Sequence, residues 1–449
     1  MQLLLKRASA VFLTQVAGAG VMFIYGVLLA RWLKPEAYGF YSFAITLVLT
    51  LRILASSGLP LMLTRSVAVY GEARNWPHLK GLLEYALKLS LGAGTLVALI
   101  LAAAVLLFAP HPFARTGSLI LLALPLLCLT PVSESAAGAL RGLHQVAAAQ
   151  ATSTIRAVLY LVLLLASFLI LGQMTAGSAI ILRVAAEASG AVLVLIWVMR
   201  HLPADLKSSA PAFDIKTWRK GQLGFMAIEA MYAIYLQIDI LSLSALRPMA
   251  DVGVYRMAAN LTFILTFAAS FANGSLAPLA ASAWAGGRKD ELADVARRMS
   301  RLSFVLTISI YIAMLIALPL FIGILGKGYS RIGLPLAILG FGQVVTSFMS
   351  SAPALVLMTA DGERNGAWSV GASAASNLLL NLALIPLLGM AGSALATAIS
   401  TIVQTIFYAR FAHSRLGVSG AALHDERLIR WIGKVRTGFA AAAKKLRPK

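Results

Sequence analysis

A chain of 449 residues that is 59% hydrophobic and only 12% charged, with mean hydropathy +0.84, is not an ordinary soluble protein, in which roughly 25% of residues carry charge. The formal net charge of +21 would suit a nucleic-acid binder, but its distribution along the chain assigns it elsewhere. One cysteine, Cys128, excludes an internal disulfide, and the six histidines show no ligand spacing, so neither a metal nor a cofactor is expected.

Apolar stretches follow one another almost end to end. A helix needs roughly 20 apolar residues to cross the hydrocarbon layer, and without water there, only helices or a closed barrel satisfy the backbone. The runs are continuous rather than alternating, so the expected fold class is an all-α integral membrane protein of about 12 transmembrane helices. In chain order these fall at 8–33, 40–63, 86–109, 117–138, 154–171 and 178–199, then 221–245, 252–276, 302–325, 333–358, 366–388 and 391–411. The first follows Lys6 and Arg7, as a signal peptide would. It is too long for a signal's apolar region and lacks a good cleavage site, so it reads as an uncleaved helix. Pro125, Pro131, Pro319, Pro335 and Pro353 lie inside these stretches and permit kinks.

With the N-terminus inside, 29 of the 38 Lys and Arg residues fall in cytoplasmic segments. Seven fall outside (Arg31, Lys34, Arg115, Arg247, Arg256, Lys327, Arg331), and Arg52 and Arg183 sit within helices. The positive-inside rule then predicts N-in, C-in topology with an even helix number. It also turns the high net charge into attraction for anionic inner-leaflet lipid rather than nucleic acid. In the tail, Leu428, Ile432, Val435 and Phe439 share one helical face with Arg427, Arg430, Lys434 and Arg436 elsewhere. An amphipathic helix on the inner leaflet and a partly disordered basic tail fit this pattern equally.

The two halves resemble one another. "PEAYGFYSFA" at 35–44 and "MADVGVYRMA" at 249–258 align Gly39 with Gly253, Tyr41 with Tyr255 and Ala44 with Ala258. Gly58 and Pro60 likewise match Gly274 and Pro278, and "LGQMTAGSA" matches "LGMAGSA". An offset of six helices preserves orientation, so the halves are expected to be parallel six-helix lobes with a pathway between them. The expected division is an N-terminal lobe at 1–200, a cytoplasmic linker at 201–220, a C-terminal lobe at 221–411 and the tail at 412–449.

The segments "LLARWLKPEAYGFYSFAITL", "IDILSLSALRPMADVGVYRMAANL" and the stretch from "FGQVVTSFMSS" to "GSALATAIS" resemble the polysaccharide flippases of the MOP superfamily, the Wzx-like O-antigen and exopolysaccharide translocases. The resemblance spans roughly residues 5–411. It implies a two-lobe transporter of the bacterial inner membrane that works by alternating access in surface polysaccharide biosynthesis. Its cargo would be an oligosaccharide linked to undecaprenyl diphosphate, with a polysaccharide polymerase and chain-length machinery as neighbours.

A diphosphate crossing a low-dielectric layer needs cations to replace lost solvation, and ionisable residues inside helices are costly enough to invite a functional reading. Arg52, in the middle of its helix, is the first candidate for a headgroup contact; its structural alternative is a pair with a carboxylate on a neighbouring helix. Arg183 and Glu187 lie four apart and could neutralise one another. Arg256 and Arg31 occupy corresponding helix ends and could face the cavity mouth or mark the membrane boundary. Glu229, Tyr232 and Asp239 share one helical face, suited to H+ or Na+ coupling or to charge partners for Arg52. Asp239 in "QIDIL" matches an Asp that recurs in related flippases, as the resemblance implies.

A MATE-type exporter of drugs or other cations is the alternative, and it would favour a carboxylate-rich first lobe. A membrane-embedded polymerase or transferase would need a sizeable catalytic loop, and the external loops are short. No nucleotide-binding loop or nucleophile constellation appears, so the chain is read as a transporter and not an enzyme.

Overall fold

The computed structural model describes residues 2–108, 114–357, 362–417 and 421, and all of its regular structure there is helical. The amphipathic pattern at 427–439 lies outside the described residues. Nine helices among the described residues are long and apolar enough to cross a membrane. The chain is therefore a multi-pass membrane protein.

Each expected stretch coincides with helix, but the divisions differ: the first two run together, and the fourth, ninth and tenth are each interrupted. α1 (Gln2–Ser56) carries the first two expected stretches, split at Lys34, whose φ of 62° and ψ of 168° are non-helical. Pro35 explains the split, since its ring disfavours a helical residue before it and it has no N–H to donate. A second break at Ser57 (φ 48°) and Gly58 (φ 76°) precedes α2 (Leu59–Glu72). Next come α3 (Trp76–Phe108), α4 (Ala114–Ala123), α5 (Leu126–Gly142), α6 (Val146–Leu171), α7 (Ala176–His201) and the short α8 (Ala204–Ser208). The second half runs through α9 (Ile215–Leu246), α10 (Met249–Ala285), α11 (Lys289–Ile316) and α12 (Leu318–Leu325). A 3-10 turn (Lys327–Ile332) leads to α13 (Gly333–Ser347), α14 (Ala352–Leu357), α15 (Gly362–Leu388) and α16 (Met390–Leu416). Pro125, Pro319 and Pro353 stand at the breaks between α4 and α5, α11 and α12, and α13 and α14. Pro131 sits inside an unbroken α5.

The contacts resolve two compact units. The first comprises residues 1–261, 318–336 and 374–396. Its core packs small residues against backbone: a Cβ on Gly138 would lie 2.4 Å from the Pro60 carbonyl, so α2 and α5 touch closely. The repeated segments meet here too. A Cβ on Gly39 would lie 1.8 Å from the Met249 carbonyl, and one on Gly253 would lie 1.9 Å from the Pro35 carbonyl. Equivalent positions of the two repeats thus contact one another reciprocally, as a two-fold relation requires. Around this seam, Tyr329 donates to the Ala30 carbonyl at 2.9 Å, and Arg331 pairs with Asp251 at 2.8 Å.

The segment joining the halves is also fixed within this unit. Ala212 N–H donates to the Pro77 carbonyl at 2.9 Å, and Lys80 Nζ donates to the Ser209 carbonyl at 2.8 Å. Trp218 is buried and donates to the Tyr70 hydroxyl at 3.0 Å. Asp214 caps α9, accepting from Thr217 N–H at 3.2 Å.

The second unit comprises residues 262–317, 337–373 and 397–449. Its core joins α10, α11, α14 and α16 through Ala283, Ala296, Met299, Leu355, Val356 and Ala412. The Ser300 and Ser351 hydroxyls meet at 3.0 Å within it.

Candidate functional site

Three polar constellations lie in the first unit. In the first, Arg52 of α1 forms an ion pair with Glu134 of α5. Glu229 of α9 accepts the Gly58 N–H at 3.2 Å and lies within electrostatic range of both. Arg141 of α5 also senses Glu134 and holds Thr64 at 3.4 Å. Two arginines and two carboxylates balance, so Arg52 has the structural partner that its position allowed.

The second constellation surrounds Arg183 of α7. Its Nη1 donates to the Tyr25 hydroxyl at 3.0 Å, and its guanidinium carbon lies 5.3 Å from the Tyr160 ring centroid. Both are attractive contacts for a cation, since a phenol oxygen accepts and an aromatic face is negative. The Tyr160 and Tyr41 hydroxyls are 3.0 Å apart, and Tyr160 donates to the Ala179 carbonyl at 3.0 Å. Tyr41 stacks near Tyr38, with ring centroids 6.2 Å apart. Tyr38 accepts from Asn260 at 2.9 Å and lies within range of Arg256. A row of phenols therefore runs from Arg183 on α7 towards Arg256 on α10.

Glu187, one turn along from Arg183, forms its ion pair with Arg156 of α6 instead. The expected mutual neutralisation of Arg183 and Glu187 is thus replaced by a cross-helix pair, because α6 and α7 turn Arg156 and Glu187 towards each other. Among the described residues, Arg183 makes no ion pair. A polar cavity of about 70 Å³ opens between these groups, lined by Tyr25, Ser153, Arg156, Tyr160, Arg183 and Glu187. Two guanidinium groups and one carboxylate leave it with a net positive charge.

The third constellation holds Asp239 of α9, which accepts from the Tyr255 hydroxyl at 2.9 Å and from Asn381 Nδ2 at 3.1 Å. Asn381 also contacts Asn377 one turn away on α15, and both asparagines are buried.

The sequence matches the family described as polysaccharide biosynthesis protein over residues 4–284, more than half of its length. The chain belongs to that family. No curated protein matches this member. Solved structures do, at low sequence identity. An inward-facing multidrug resistance MATE family transporter of the MOP superfamily gives a TM-score of 0.70 at 14% identity, covering 90% of this chain and 94% of that one. An outward-facing MATE family transporter gives 0.65 at 15%, covering 91% and 95%. A MOP superfamily transporter from Pyrococcus furiosus, whose binding pocket is described as of reverse polarity, gives 0.63 at 13%, covering 91% and 95%. The polysaccharide biosynthesis family member thus has the fold of MOP transporters.

Not every expected residue joins a constellation. Glu229 and Asp239 do share a helical face, but ten residues along a helix separate them by about 15 Å, and they serve different networks. Tyr232, between them in sequence, is 54% exposed and belongs to neither. Arg31 is exposed and donates to the Ile324 carbonyl at the seam. Glu134, Arg156, Tyr25, Tyr38, Tyr160, Asn377 and Asn381 were not singled out as site residues from sequence. Glu134 and Arg156 did leave a trace, since both are charged residues inside the expected helices 117–138 and 154–171, and Glu134 belongs to the acidic set there with Glu187, Glu229 and Asp239.

Proposed function

We propose that this protein is a flippase that carries a polyprenyl-diphosphate-linked oligosaccharide across the bacterial inner membrane by alternating access, for surface polysaccharide biosynthesis. One observation carries the reading: Arg183 is held by neutral phenols in a polar cavity whose net charge is positive. An anionic diphosphate entering that cavity would meet a guanidinium not already paired, in surroundings where charge is weakly screened. Arg156, and Arg256 at the far end of the phenol row, would follow the headgroup along its path, while the prenyl tail stays in lipid. A cation-exporting MATE site would need the opposite sign there.

In this reading the two repeats, 1–200 and 221–411, act as lobes with both termini inside, and the basic inner face attracts anionic lipid. Asp239 with Asn377 and Asn381 offers oxygen ligands for H+ or Na+, supplying the coupling that a chain without a nucleotide site requires. The polymerase that consumes the exported oligosaccharide is the expected neighbour.

The test is complementation of a deletion strain with Arg183→Gln and Arg183→Lys, combined with leaflet-specific detection of the lipid-linked oligosaccharide. Gln should leave it on the inner leaflet and Lys should restore part of the export. Full export by Arg183→Gln, at wild-type protein levels, would refute the reading.

A further inference from the structure

We infer that the second unit contains a binding site for a neutral sugar unit, formed at a cavity of about 280 Å³ between α10, α11, α13, α14 and α16. The inference rests on the flippase reading for its biological meaning and deepens it by assigning the glycan a site away from the headgroup cavity.

The lining mixes hydroxyl and amide side chains with apolar ones. Thr266, Ser270, Asn273, Thr307, Gln343 and Ser350 are joined by three further hydroxyl residues, and among the described residues no Asp, Glu, Lys or Arg lines the cavity. Five of the hydroxyls, on Thr266, Ser270, Thr346, Ser347 and Thr405, donate to carbonyls three or four residues back on their own helices at 2.6–3.0 Å. Each proton is spent inside its helix, so what each presents outward is an acceptor lone pair.

Three further lining atoms have no hydrogen-bond partner among the described residues: Asn273 Oδ1, Thr307 Oγ1 and Ser350 Oγ. Thr307 is 1% exposed and Ser350 8% exposed. The Asn273 side chain is oriented by its other end, where Nδ2 donates to the Ser350 carbonyl at 3.0 Å. Buried polar atoms are ordinarily paired, and in a membrane segment there is little bulk water to do it. These atoms therefore await a ligand that brings its own hydroxyl donors.

The size of the space and its chemistry choose among ligands. It far exceeds what a single water needs. A cation of any charge would favour carboxylates, which the lining lacks, and an apolar tail would leave the three atoms unpaired. A pyranose ring carries hydroxyl donors around its edge and apolar C–H faces. Leu265, Ala269, Met349 and Pro353 supply surfaces for those faces.

The experiment uses the full chain in lipid nanodiscs and a panel of methyl glucoside, methyl galactoside, methyl mannoside and N-acetylglucosamine, with binding followed by saturation-transfer NMR. At least one member should bind. The double variant Thr307→Val with Ser350→Ala removes two unpaired buried hydroxyls, so its Tm should be unchanged or higher. Its affinity for that glycoside should fall about tenfold, the share of two neutral hydrogen bonds. Arg183→Gln should leave glycoside binding as it is. Binding by no panel member, or binding that survives in the double variant, overturns the inference. Failure of the flippase reading registers separately, as normal lipid-linked oligosaccharide export by Arg183→Gln, and does not touch the glycoside result.

Discussion

Replacing Gly39 or Gly253 by Ala is the sharpest perturbation the fold offers. The added Cβ would lie 1.8 Å from the Met249 carbonyl oxygen in one case and 1.9 Å from the Pro35 carbonyl oxygen in the other. Real Cβ contacts essentially never fall below 3.0 Å, so the two segments must separate by at least 1.2 Å or 1.1 Å respectively. The clashing atoms are backbone and cannot rotate away. Overpacking of this kind costs about 1–3 kcal/mol, which moves the equilibrium between closed and parted segments by roughly 5- to 150-fold. A cysteine at Val252, which is fully buried beside the seam, reports the parting in a Cys128→Ser background. A membrane-impermeant maleimide should label it faster by that factor when Gly39→Ala or Gly253→Ala is present. Labelling at the parental rate in both variants would refute the claim that the two repeats hold one another shut at these glycines.

Four other outcomes are expected. Arg52→Ala should lower Tm because it removes the ion partner of the Glu134 carboxylate; adding Glu134→Ala should recover most of the lost Tm, and no recovery would show that Arg52 acts by other means. Arg52→Lys should keep part of the activity in complementation. Asp239→Asn should alter the pH or sodium dependence of transport in proteoliposomes if Asp239 couples an ion, and an unchanged dependence would leave it a structural partner of Tyr255 and Asn381. The Thr217 hydroxyl and N–H hold the Asp214 carboxyl below its ordinary range. Its stabilising cap is therefore complete above the unfolded-state pKa and lost as pH falls through the lowered folded-state value, so Asp214→Asn should flatten the acid limb of the melting profile.

The membrane class and the helical stretches were legible because a long apolar run has few other meanings in water or lipid. The joins were harder. Hydropathy marks where a helix is buried in lipid, but α3 and α6 begin several residues earlier, in more polar sequence. Charged residues stood out against the apolar background, so Arg52, Arg183, Glu229 and Asp239 were found. Their partners were not, since pairing is a matter of which helix faces turn towards each other. Glu187 lies one turn from Arg183 yet pairs with Arg156 across a helix boundary. The phenols of Tyr25, Tyr38 and Tyr160 read as ordinary membrane aromatics until Arg183 and Arg256 were seen beside them. The hydroxyl-lined cavity draws on five helices and has no sequence signature at all.

The join between the halves has a mechanical consequence. Residues 202–214 are not a slack tether: Ala212, Ser209 and the adjoining Trp218 fasten them to α2 and α3. A tether lets its ends move independently, whereas a strut transmits force. With the strut bolted down through Trp218, and Gln222 one turn on accepting from the Tyr85 hydroxyl at 3.0 Å, the first turns of α9 are tied to α2 and α3. A displacement of α2 or α3 is thus passed on to the start of α9 instead of being lost in a slack join.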